Sequence, residues 1–137
     1  MRYQKLFSDD AGESHWEDVE VTVETRVFAP PAENIEISEG EPVRQMMFLR
    51  LQSGWNEPTH PTPVRQKLIC LAGAVRVPAS DGQFRDIGRG DVVERGDANV
   101  IVAARSIDFD NSVRTALHCP YAAIAQCVDA AIADGRQ

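Results

Sequence analysis

The chain has 137 residues, with 14 basic against 21 acidic side chains, 43% hydrophobic residues and 26% charged ones. That length fits one domain with its own core and leaves no room for two. The formal charge of −7 argues against nucleic acid or an anionic membrane surface as partner, since both attract basic patches. No run approaches the roughly 18 apolar residues that a spanning helix needs, and no early window has the charged start, apolar stretch and small-residue cleavage site of a signal peptide. The expectation is a soluble, acidic, single-domain protein of the cytoplasm.

Cysteine usage agrees with a reducing compartment. Cys70, Cys119 and Cys127 are odd in number and include no CxxC pair. Cys70 lies in the apolar run Leu68-Ile69-Cys70-Leu71, where it reads as a small buried hydrophobe. Cys119 and Cys127 are free to form a disulfide by spacing, but a secreted scaffold of this size carries more bridges. His118 beside Cys119 is a weak sign of a reactive thiol, because neighbours on a strand point to opposite faces.

In chain order the pattern gives short strands punctuated by turns, with no long helical period. Trp16 with His15, after a capping-like Ser14, reads as packing. From Asp18 to Val27 the residues alternate, Val19, Val21, Val23, Thr25 and Val27 against Glu20, Thr22, Glu24 and Arg26. This predicts one half-buried antiparallel strand, ended by Ala29-Pro30-Pro31 because proline cannot donate to a ladder. Ile35 to Ile37 is a second short strand. Val43, Gln45, Met47, Leu49 and Leu51 mark a third, with Gln45 the flaw in its apolar face.

Ser53-Gly54 opens a proline-rich connection through Pro58, Pro61 and Pro63. Lys67 to Val77 reads as one long strand bent or bulged at Gly73. Ser80-Asp81-Gly82 is a hairpin turn, since Asp-Gly accepts the positive φ of tight reversals; it joins Val75-Arg76-Val77 to Phe84-Arg85-Asp86-Ile87. Gly88-Arg89-Gly90-Asp91 reverses the chain into Val92-Val93. Val100 to Val102 and Tyr121 to Val128 supply the last strands, and Asp129 to Ala133 is open to a short helical turn. Short strands at this spacing make an all-β sandwich or barrel. The pattern alone does not choose between an immunoglobulin-like sandwich and a jelly roll.

The segment from Gly54 to Gly73 makes that choice. Gly54 is followed after five residues by His60-Pro61-Thr62, then after three by Gln66, then after six by Gly73. This spacing resembles the first motif of the cupin family, a glycine, H-x-H, glutamate and glycine, with Thr62 in place of the second histidine and Gln66 in place of the glutamate. Gly90-Asp91-Val92-Val93 resembles the opening of the second cupin motif. The histidine expected after it is replaced by Asn99, unless a longer loop lets His118 serve. Gly12 to Asp18 and His60 to Gln66 are similar to a group of small single-domain bacterial cupins with no established activity. The resemblance implies a cupin-type double-stranded β-helix, or jelly-roll barrel, with its core over about 43–128 and an N-terminal extension over 1–42.

Metal cupins hold a divalent ion with three histidines and a glutamate on the barrel interior. An ion of that charge needs imidazole nitrogens or carboxylate oxygens to replace its water. Thr62 offers a weak hydroxyl and Gln66 a neutral amide, so no metal and no cofactor is expected. His60, Thr62, Gln66 and, by the broken second motif, Asn99 are the candidate ligand-binding residues for a small organic molecule. His60 is a candidate general base by its near-neutral pKa, or else a relic bonded inside the barrel mouth; no catalytic residue is assigned. Arg65 and Lys67 flank Gln66 and point away from it, toward solvent or an interface. Trp55 caps a pocket or packs in the core or a dimer contact.

No G-x-S-x-G, P-loop, GxGxxG or HExxH is present. Two further readings stand beside the binding protein. One is a metal-dependent isomerase, lyase or dioxygenase using His60 with His118. The other is a structural or interaction module. The resemblance also implies a homodimer, for which the strand Asp18 to Val27 is the candidate edge.

Overall fold

The computed structural model describes residues 1–62, 64–96, 101–106 and 121–129, the last two stretches as backbone only. Asn99, His118, Cys119 and the expected helical turn after Asp129 lie outside the described residues. The elements are β1 (Arg2–Ser8), β2 (Ser14–Glu20), β3 (Glu24–Arg26), β4 (Ile35–Ile37), β5 (Val43–Gln52), β6 (Asn56–Pro61), β7 (Gln66–Ala72), β8 (Ala74–Pro78), β9 (Phe84–Gly88), β10 (Val92–Arg95), β11 (Ile101–Ser106) and β12 (Tyr121–Asp129). No helix among the described residues is long and apolar enough to cross a membrane.

Strand order settles the architecture. One sheet runs β2-β1-β10-β7-β12-β5 and another β6-β11-β8-β9, with β3-β4 as a separate ribbon. Setting aside β1 and β2, consecutive strands from β5 to β12 alternate between sheets except at the hairpin β8–β9. This gives two four-stranded sheets, β10-β7-β12-β5 and β6-β11-β8-β9, which is the jelly-roll order rather than that of an immunoglobulin sandwich. The fold is a cupin-type jelly roll.

The predicted strand over Lys67 to Val77 is two strands in different sheets. Gly73 stands between them at φ 71°, a left-handed conformation that costs a side-chain-bearing residue strain, and there the chain crosses from one sheet to the other. The Asp81-Gly82 turn joins β8 to β9 as expected, with Gly82 at φ 87°.

Two expectations are corrected. The alternation from Asp18 to Val27 is not one strand: β2 ends at Glu20, and Glu24–Arg26 pairs instead with Ile35–Ile37 in the ribbon. Alternation is a local signal, and the partners here differ on either side of the break. The proline-rich connection is a strand, β6, despite Pro58 and Pro61. It lies at the edge of its sheet, where a missing N–H need not break a ladder.

The N-terminal strands extend the first sheet. β1 pairs parallel with β10 and antiparallel with β2, and Leu6 on β1 is fully buried in the cluster formed with Cys70, Val75, Val77, Ala79, Ile87 and Val93. Trp16, Leu51 and Trp55 pack against that cluster, partly buried. Since it takes residues from both sheets, this cluster is the core between them. β2 is also pinned to the β8–β9 turn: Ser14 N–H donates to Ser80 Oγ at 2.7 Å, and Ser80 N–H to Ser14 Oγ at 2.7 Å.

Candidate functional site

Between the sheets lies a cavity of about 250 Å³ lined by Leu49, Leu51, Trp55, Glu57, His60, Gln66, Leu68, Cys70, Val75, Val77, Ile87, Val93 and Arg95. Among the described residues its wall is mostly aliphatic, and its polar groups come from three strands. β6 supplies Glu57 and His60, β7 supplies Gln66, and β10 supplies Arg95. Gln66 and Arg95 are cross-strand partners, which brings their side chains into the same part of the wall.

Of the residues singled out from sequence, His60 and Gln66 line this cavity, and so does Trp55. Thr62 is buried but is not part of its wall. Arg65 and Lys67 point away from the cavity as alternation predicts, yet they are not simply solvated: both gather on Glu94, on the opposite face of the sheet.

Glu57 and Arg95 were not singled out by motif. A signal for Arg95 exists: on β10 it shares the face of Val93, two residues before, and both line the cavity. Arg95 is 8% exposed. Among the described residues its nearest anion is Glu57, with Nη2 3.5 Å from Oε2, and its Nε–H has no hydrogen-bond partner. Burial, only partly offset by Glu57, holds the guanidinium pKa below its ordinary value.

His60 is fixed at both nitrogens. Nε2 lies 2.6 Å from Glu57 Oε1 and Nδ1 lies 2.8 Å from the Pro61 carbonyl oxygen. Both partners are acceptors, an arrangement that favours the protonated ring, which alone can donate from both nitrogens. Glu57 first, then the Pro61 carbonyl, raise its pKa accordingly.

This geometry tests the metal that the cupin resemblance brings to mind. Both nitrogens of His60 are already engaged, so the ring would have to give up Glu57 or the Pro61 carbonyl to bind an ion. Glu57 is shared between His60 and Arg95, and a buried guanidinium beside it repels a dication. Among the described residues, three metal-type ligand atoms converge only at Asp9, Glu13 and His15, on the surface, where His15 is already bonded to Asp9 and Asp81. The described cavity residues do not fit a divalent ion.

The class this fold and cavity define is a cupin-type jelly roll whose cavity gathers a polar cluster of Glu57, His60, Gln66 and Arg95. Solved structures resemble it, two of them as follows. The cupin domain of Schizosaccharomyces pombe Cnp3 is 10% identical at a TM-score of 0.44, covering 85% of this chain and 78% of that one. An RmlC-like cupin protein from Desulfovibrio desulfuricans is 11% identical at a TM-score of 0.43, covering 79% and 81%. No protein-family model and no curated protein matches the chain. It is the strand order that defines the fold.

Proposed function

We propose that this protein binds a small organic molecule in the jelly-roll cavity without a resident metal ion. The observation that carries this reading is the cavity itself, an aliphatic chamber with four polar side chains gathered from three strands. Such a site buries a compact ligand and orients it by a few polar contacts. A thermal-shift screen against a metabolite library tests it, since a ligand at about 100 times its Kd stabilises by roughly 2.7 kcal/mol. The effect should disappear in Leu68→Phe, which fills the chamber. A library with no stabilising compound, or a variant that responds like the wild type, refutes the reading. Elemental analysis of untagged protein should find no stoichiometric metal. Against the metal-enzyme reading through His60 and His118 stands the engagement of both His60 nitrogens, by Glu57 and by the Pro61 carbonyl.

A second reading, compatible with the first, is that the chain is a homodimer. It is favoured by β5, a ten-residue edge strand exposing Met46 (57%) and Phe48 (71%). The other edge of that sheet, β2, exposes Glu17, Asp18 and Glu20 instead, and like charges oppose self-pairing. A second copy on β5 would cover an edge that no described strand pairs with. Light scattering should give twice the chain mass for the wild type and the chain mass for Phe48→Asp; a monomeric wild type refutes the dimer.

A further inference from the structure

We propose that the ligand of this cavity is a compact organic monocarboxylate, held by Arg95 with its apolar body against the aliphatic wall; this rests on the small-molecule reading above. The first observation is the state of the guanidinium. Arg95 is buried, its only anionic neighbour among the described residues is Glu57, and that contact is long at 3.5 Å. The Nε–H on the same edge as the paired Nη2 is buried without a partner among the described residues. A buried, unpaired donor on a cation is costly, and the Nε/Nη2 edge is the one that takes a carboxylate through two parallel hydrogen bonds.

The second observation is the count of charge around it. The ionisable groups facing the cavity from the described strands are Glu57 and His60 on β6, Cys70 on β7 and Arg95 on β10. Cys70 is a buried thiol directed at the carbonyl oxygens of Ala72 and Gly73. That leaves one carboxylate, Glu57, shared between the guanidinium of Arg95 and the ring of His60, which is a second cation when protonated. With His60 protonated, one further negative charge balances the cluster. A cation would meet an excess of its own sign, and a dianion would overshoot.

The third observation is Gln66. It lines the cavity directly across from Arg95 in the ladder. A carboxylate at this position would supply Arg95 with an internal partner. An amide supplies no charge, so the guanidinium keeps its demand for an external anion.

The probes that test this are benzoate and hexanoate, each against its neutral counterpart, benzamide and hexan-1-ol, with inorganic phosphate as a compact multivalent anion. Affinities are read by calorimetry or ligand-observed NMR on the full chain. Each carboxylate should bind the wild type at least about tenfold more tightly than its neutral counterpart, the worth of one charge-assisted pair. Phosphate should bind no better than the neutral probes. Arg95→Gln should erase the preference. If that variant fails to fold, the near-isosteric Gln66→Glu should weaken carboxylates about tenfold while leaving benzamide unchanged. Equal binding of acids and neutral counterparts, tighter binding of phosphate, or an unchanged preference in a folded variant overturns the carboxylate assignment and leaves the cavity reading standing. Binding of no probe to folded wild-type protein overturns both.

Discussion

Replacing Glu94 by glutamine should destabilise the protein markedly and should remove part of its acid sensitivity. Glu94 is 2% exposed and is held on the sheet face opposite the cavity. Tyr3 Oη donates to its Oε2 at 2.8 Å, Arg65 donates to Oε1 from Nε at 3.0 Å and Nη2 at 2.8 Å, and Lys67 Nζ stands 3.7 Å from Oε2. Lys67 also lies 4.5 Å over the Tyr3 ring and pairs with Glu41. One carboxylate thus joins β1, β7, β10 and the segment before β7. Burial pushes its pKa up, but the Tyr3 hydroxyl, Arg65 and Lys67 outweigh that and hold it below the ordinary range. The Tyr3 hydroxyl is pushed up to about 12 by burial and by this same carboxylate.

Glutamine keeps the shape, loses the charge and turns a donor toward donors. Hydrogen bonds to a charged group are worth about 1.5–3 kcal/mol each. Arg65, half exposed, regains water when released, so a net loss of about 2–3 kcal/mol is expected. For a domain of this size that lowers Tm by roughly 6–12 °C. The pKa of Glu94 is depressed in the folded state. Its contribution is therefore complete above the unfolded value and is lost as pH falls through the folded one. Melting curves of both proteins from about pH 3 to about pH 8 should converge on the acid side. A difference under about 2 °C near neutrality, or one that stays constant into acid, would show that the network does not carry this charge.

Three further outcomes follow from other parts of the molecule. His15 sits between Asp81 Oδ2 at 2.9 Å and Asp9 Oδ2 at 3.1 Å, so its pKa is raised, by Asp9 first and then Asp81. That contribution is full below the unfolded pKa and is lost as pH rises through the folded one; the Tm gap between wild type and His15→Gln should shrink from mildly acidic to alkaline buffer, and a gap that grows contradicts the clamp. Gly73→Ala places a Cβ at φ 71° and should cost about 1–2 kcal/mol, read by urea denaturation; a neutral result would mean the corner relaxes. Val93→Ala, at a buried position on the cavity wall, should cost about 1–3 kcal/mol and enlarge the chamber; unchanged stability would mean the wall collapses to fill the space.

The strands that form the two jelly-roll sheets were largely legible because their turns carry chemistry. The Gly54–Gly73 spacing, Asp81-Gly82 and Gly90-Asp91 mark where the chain reverses or changes sheet. β1 was not legible: among its seven residues only Leu6 is buried, and one apolar side chain makes no period. β6 was hidden by its prolines, which forbid a central strand but not an edge. In the site, His60 and Gln66 came from motif spacing. Glu57 and Arg95 escaped because a charged residue reads as exposed until its partner is known, and the partners sit on different strands.

Gln66 stands directly across the ladder from the guanidinium in the cavity wall. In the cupin resemblance its position belongs to the ligating glutamate, which would compensate a dication. Here the residue across the ladder is Arg95, already a fixed cation in the cavity wall. A glutamate at 66 would pair with it, so Gln66→Glu should raise the stability of the ligand-free protein by about 1 kcal/mol while weakening carboxylate binding. Opposite signs in the two assays are the mark of a cation left available for a ligand. A substitution that merely disturbed packing would lower both stability and binding. If instead stability falls and carboxylate affinity is untouched, Glu57 already satisfies Arg95 despite the 3.5 Å separation, and the cluster serves only to bridge β6 and β10 across the two sheets.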